Sequence, residues 1–130
     1  MLVAPLAGGV LAAEGASLVL VEWRDPGGGT DPPRYIAPLH VHHEDDEAWY
    51  VLEGTLAFRL GDEEVEAPAG AAVLAERGTV HTYWNPRPEP ARYVLAMTPR
   101  IHALIEALHG PGADPEAVFR EHASTLIGWP

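Results

Sequence analysis

Two histidines one residue apart, a glutamate five positions after the second, and a further histidine at 81 are the residues of this chain best suited to metal chemistry. The first group sits in the run His40-Val41-His42-His43-Glu44-Asp45-Asp46-Glu47. Side chains alternate faces along a strand, so His40 and His42 reach into one cavity while Val41 takes the opposite face. Glu47 opens the next strand after the short acidic loop 43–46, and His43 in that loop faces solvent. Three imidazoles and a carboxylate on one inward surface suit one divalent transition metal: Fe, Mn, Ni, Cu or Zn. Calcium and magnesium prefer all-oxygen sites and fit poorly.

The elements that must carry these residues are mostly short strands. Ser17 to Trp23 is rich in β-branched and aliphatic residues and ends at Asp25-Pro26-Gly27-Gly28-Gly29, a strong turn signal. Residues 30–37, with Pro32 and Pro33, read as an extended loop. Strands are expected over 38–42, 47–52, 55–60, 65–67, 71–75, 80–84 and 92–98. Short strands at this spacing indicate a sandwich or barrel. After Pro99 the period changes: Ile101, Leu104, Ile105 and Leu108 form one helical stripe. Gly110-Pro111-Gly112 ends it, and Asp114 followed by Pro115 starts a second helix as cap and first residue. His102, His109 and His122 fall on this tail and read as surface or interface residues.

Read in full, the spacing is His40-x-His42-x4-Glu47-x6-Gly54, then Gly70-x5-Glu76-x-Gly78-x2-His81-x3-Asn85. These two motifs resemble those of the cupin superfamily, and the resemblance covers about residues 15–98. It implies an all-β jelly-roll (double-stranded β-helix) barrel over residues 1–98. A C-terminal helical extension, residues 99–130, is expected to pack on the barrel or at a dimer interface. It also implies His40, His42, Glu47 and His81 as metal ligands. Two positions depart from the family pattern: Glu76 stands where proline is usual, and Arg34 where a glycine is expected before the first motif. Neither removes a ligand. Within the superfamily the chain looks most like small quercetinase-like cupins, through the strand Glu47-Ala48-Trp49-Tyr50-Val51-Leu52-Glu53-Gly54 and the ending Ile127-Gly128-Trp129-Pro130.

Alternation directs Trp49, Phe58, Tyr83 and Met97 inward, and the expectation is that they border the metal in a mostly aromatic pocket, although such residues are also what a barrel core requires. No basic clamp is evident, which disfavours phosphorylated ligands. The function expected is that of a metal-dependent enzyme acting on a small apolar or aromatic molecule, with dioxygenase chemistry and Glu47 as general base. The alternatives are a non-catalytic metal-containing binding or sensing protein and a non-redox isomerase or lyase.

The formal net charge of −11 disfavours nucleic acid and anionic membrane surfaces. The absence of cysteine excludes disulfides and thiolate sites. No apolar run is long enough for a membrane span, and the apolar start lacks the basic residue of a signal peptide, so a cytoplasmic location is expected. Lysine and glutamine are missing and Asn85 is the single asparagine, a bias shared by thermophilic sources and GC-rich genomes. A two-fold homodimer is the expected assembly.

Overall fold

The computed structural model describes all 130 residues. Ten strands and two helices follow in chain order. The strands are β1 (Val10–Leu11), β2 (Val19–Asp25), β3 (Leu39–His42), β4 (Glu47–Glu53), β5 (Thr55–Leu60), β6 (Glu63–Pro68), β7 (Ala72–Ala75), β8 (His81–Trp84) and β9 (Ala91–Met97). Helices α1 (Pro99–Leu108) and α2 (Pro115–Glu121) then lead into β10 (Ser124–Gly128). They form two antiparallel five-stranded sheets, ordered β1-β2-β9-β4-β7 and β10-β3-β8-β5-β6. This is the all-β jelly roll with C-terminal helices that the motifs implied.

The two-residue period is what builds the sandwich. On β9, Ala91, Tyr93, Leu95 and Met97 are buried and the residues between them are not. On β4, Glu47, Trp49 and Val51 turn inward the same way. These side chains meet Leu56, Phe58 and Tyr83 of the facing sheet, giving one core between the two layers. Trp49 and Phe58 pack edge-on at 5.1 Å, and Phe58 lies parallel to Tyr83 at 5.6 Å. Such aromatic pairs add to the area they bury.

Strands β3 and β8 break the alternation, since all four residues of each are buried. Loop 30–37 explains part of this. Tyr35 pairs with Trp84 and packs on it at 5.4 Å, while Ile36 donates its amide to Tyr83 O at 2.9 Å. Arg34, at the missing motif glycine, forms an ion pair with Asp25 at 2.7 Å. Two motif glycines are needed for different reasons. Gly54 has φ +74°, and a Cβ there would lie 2.4 Å from Pro90 O. Gly78 has open space around it but φ +84°, and its amide donates to His42 O at 2.7 Å, setting the start of β8 beside β3.

The C-terminal region differs from the expectation in two details. Helix α1 is capped by Thr98, whose hydroxyl accepts from Ile101 N at 3.3 Å, but Asp114 makes no side-chain cap bond at α2. The segment after α2 is a strand, where a helical tail was expected to run to the end. β10 pairs antiparallel with β3, Ser124 opposite His42 and Leu126 opposite His40, so the chain's last elements complete the second sheet.

Candidate metal centre

The four residues singled out by spacing converge. His40 and His42 lie on β3 and His81 on β8, with His40 directly opposite His81 in the ladder. Glu47 comes across from the first sheet, at the start of β4. One donor atom from each lies within 4.8 Å of all the others, and all four residues are buried. His40 Nε2 is 3.2 Å from His42 Nε2, His81 Nε2 is 3.1 Å from Glu47 Oε1, and His42 Nε2 is 3.5 Å from that same oxygen.

The far side of each ring decides what these near nitrogens can be. His40 Nδ1 faces Pro38 O at 2.6 Å and His81 Nδ1 faces Thr79 O at 2.8 Å. A carbonyl only accepts, so each Nδ1 carries the proton. His42 Nδ1 faces Ser124 Oγ at 2.7 Å, and that hydroxyl donates its own proton to His122 O at 3.0 Å. The hydroxyl must therefore accept from His42. With a single proton on each ring, all three would present a bare Nε2 to the cluster. Burial, then the neighbouring His81 and His42, hold His40 down at about 3, so it is neutral at physiological pH. Burial alone would raise Glu47; hydrogen bonds and charge from His42 and His81, given when their Nε2 is protonated, outweigh it and hold the carboxyl at about 2.

Bare nitrogens facing a carboxylate repel one another unless a proton or a cation stands between them. A second proton on one ring satisfies Glu47 but leaves other lone pairs opposed, as between His40 and His42. A divalent ion satisfies all four at once. Donors about 2.1 Å from a shared ion, at octahedral to tetrahedral angles, are about 3.0–3.4 Å apart, close to the separations found. The donor set therefore fits one transition metal, with nitrogen and carboxylate ligands and no sulfur.

A cavity of about 560 Å³ opens onto this cluster. His40, His42 and Glu47 stand at its wall with Tyr83, Tyr93, Leu95 and Trp23 from the barrel. Ile36, Ala37 and Pro38 from the loop border it too. Much of the remaining wall is the C-terminal segment, including Ile101, Leu104, Ile105, Leu108, His109, Phe119, Leu126 and Trp129. Phe119 packs on the His40 ring at 5.3 Å. Of the four residues expected to border the metal pocket, only Tyr83 lines the cavity. Trp49, Phe58 and Met97 are corrected to core: they belong to the main apolar cluster, and the rings of Trp49 and Tyr83 pack against Phe58. Trp49 still backs the site, with its ring 5.8 Å from His81.

The sequence reading missed Ser124 and Asp25. Ser124 fixes the tautomer of His42 from 82 residues away, and no local signal marks it. Asp25 is buried at the cavity, bound by Arg34, by Asn85 Nδ2 at 3.1 Å and by Gly27 N at 3.1 Å. Asn85 also donates to Glu89 O at 2.8 Å and accepts from Arg87 N at 2.9 Å, so its place is to hold the 85–89 turn against β2.

Residues 26–97 match the family described as Cupin domain. The chain is a cupin. Its similarity to the tetracenomycin polyketide synthase protein TcmJ of Streptomyces glaucescens is 32% identity over 85 residues, 61% of this cupin and 57% of that protein. The cupin therefore spans little more than half the length of that curated relative. Among solved structures, a conserved protein with a double-stranded β-helix domain from Klebsiella pneumoniae is 30% identical, with a TM-score of 0.54, covering 64% of this cupin and 68% of that chain. The protein TT1209 from Thermus thermophilus is 26% identical, with a TM-score of 0.55, over 64% and 73%. The cupin domain of Cnp3 from Schizosaccharomyces pombe, 12% identical at a TM-score of 0.57 over 82% and 70%, shares the fold. No helix is long and apolar enough to cross a membrane.

Proposed function

We propose that this cupin is a metal-dependent enzyme of dioxygenase type, acting on a small apolar or aromatic molecule. His40, His42, Glu47 and His81 would hold the ion. The observation that carries this reading is three imidazole nitrogens and a carboxylate oxygen converging within 4.8 Å of one another at the wall of a mainly apolar cavity. A bound transition metal would supply Lewis-acid polarisation and ease deprotonation of a ligand hydroxyl. Glu47 is the candidate base: its contacts with the imidazoles run through Oε1, leaving Oε2 to take a substrate proton. The C-terminal wall sets mainly apolar side chains beside the reacting face. A phosphorylated substrate fits poorly, because Arg34 is committed to Asp25 and Arg24 stands exposed at the rim. The relative named for a polyketide synthase points to polyketide-derived molecules as the class to test first.

A non-catalytic binding protein is the second reading. It is favoured by the scarcity of free acids and bases at the cavity: besides Glu47 there is the exposed His109, and the Asp25 carboxylate is already bound by three partners. Incubation of the Fe, Mn, Ni and Cu forms with flavonols and other enediols, with and without oxygen, separates the two. Oxygen-dependent turnover is expected. Binding without turnover in every form supports the second reading, and equal product without oxygen excludes a dioxygenase. A two-fold dimer is proposed through the outward apolar row Leu20, Ala96, Ala48 and Leu74, aligned across four strands. Sedimentation at micromolar concentration tests it, and a monomer there removes it.

A further inference from the structure

The hydroxyls of Tyr83 and Tyr93 meet at 2.9 Å in the cavity wall. Each phenol has one proton, and their mutual bond uses one of the two. No second acceptor lies within hydrogen-bonding distance of either hydroxyl. Beside Tyr83, at 5.4 Å between ring centroids, stands Trp49, whose buried indole N–H has no partner. Of the two phenol protons, one is matched and the other is not. An unmet buried donor is costly, and buried polar groups in folded proteins are rarely left so.

Burial raises the Tyr83 hydroxyl well above its usual range and Tyr93 to about 12, so both stay protonated donors. A water could fill the gap, and so could any ligand acceptor that displaces it. What the cavity excludes is equally plain. Glu47 and Asp25 face it, no buried basic side chain does, and Asp25 is fully engaged. Away from the metal cluster, neither a carboxylate nor a phosphate finds a counter-ion, and an ammonium finds no free carboxylate.

We propose that Tyr83 and Tyr93 form an oxygen-recognition subsite for a ketone or ether oxygen of the ligand, with the Trp49 ring packed behind it. The ligand is then an uncharged aromatic molecule with two separated oxygens, one directed to the His40–His42–Glu47–His81 cluster and one to the phenols. Apolar side chains such as Trp23, Leu95, Leu104 and Phe119 enclose the ring system between them. The inference rests on the reading that a small molecule binds beside a metal in this cavity.

The test uses the zinc-loaded full chain and a matched series of probes. These are 2-naphthol, and naphthols carrying an added ketone or methoxy oxygen at successive ring positions. At least one oxygen-bearing probe is expected to bind about tenfold tighter than 2-naphthol, the size of one neutral hydrogen bond. The double variant Tyr83→Phe/Tyr93→Phe should lose that preference while keeping its zinc content and its affinity for 2-naphthol. Removing both partners of a hydrogen bond together is nearly neutral for folding. Should the variant fail to fold, the Trp49 indole proton in wild-type NMR spectra gives a second readout: it should shift with the preferred probe and not with 2-naphthol. A preference retained in the double variant, or an indole signal indifferent to the probe, overturns the subsite alone. Failure of every naphthol to bind the zinc form overturns it together with the function proposed above.

Discussion

Residues 26–97 and residues 99–130 contribute to the same cavity in different ways. The first stretch matches the cupin family and carries all four metal donors. The second lies beyond that match, yet supplies a large part of the apolar wall and the hydroxyl that sets the His42 tautomer. The barrel places charge and lone pairs at a point, whereas the tail shapes the space around it. The four candidate donors thus lie within the family match, whereas the cavity wall is shared between that stretch and the C-terminal segment.

The largest way to disturb this division is to remove the barrel's centre. Phe58→Ala is expected to cost about 3–5 kcal/mol of stability, measured by urea unfolding, because Phe58 has no exposed surface and is wedged between Trp49 and Tyr83. A cost below about 1 kcal/mol would mean the core is not seated there. Next comes the donor set. His42→Ala should lose metal by more than the 10–100-fold typical of an outer partner, whereas His43→Ala, exposed and bonded only to Thr125, should keep it. Equal metal content in the two variants would undo the ligand assignment.

Acid should act between these extremes. In the metal-free protein His40 is held at about 3 against a usual 6.5, so the unfolded chain takes up that proton first. Stability from this group therefore falls as pH drops from about 6.5 toward 3. Glu47, held at about 2 against 4.5, adds a loss in the same direction at lower pH. Urea midpoints of the metal-free protein should decline steadily across that range, and a flat profile would contradict a neutral buried His40. The metal-loaded form should also release its ion below about pH 6, as the rings protonate.

The most delicate test links the two regions. Ser124→Ala leaves the four donors in place but frees His42 to rotate or change tautomer. Metal affinity is expected to fall about 10–100-fold, with the melting temperature of the metal-free protein little changed, read by competition with a chelator. Unchanged affinity would show that the tail shapes the cavity without tuning the ion.

What could be read beforehand follows from which forces are local. Alternation and motif spacing identified the donors, because two-residue periodicity decides which face His40, His42 and Glu47 take. Alternation could not show that Glu47 reaches in from the opposite sheet, since that depends on how the layers stack. Nor could it separate Tyr83 from Phe58: both point inward, but neighbouring rings cover Phe58 while Tyr83 keeps an edge on the cavity. β10 was hidden for a related reason. Five residues with two β-branched side chains become a strand only when the edge of β3 is there to receive them.

That late strand has a bearing on solubility. In the sheet order β10-β3-β8-β5-β6, β3 is an interior strand only because β10 lies along its flank. A chain cut before Ser124, or one still emerging from synthesis, would present β3 with a bare row of amides and carbonyls, an invitation to pair with another molecule. Once in place, β10 therefore acts as a built-in guard, sealing the histidine-bearing strand against intermolecular pairing.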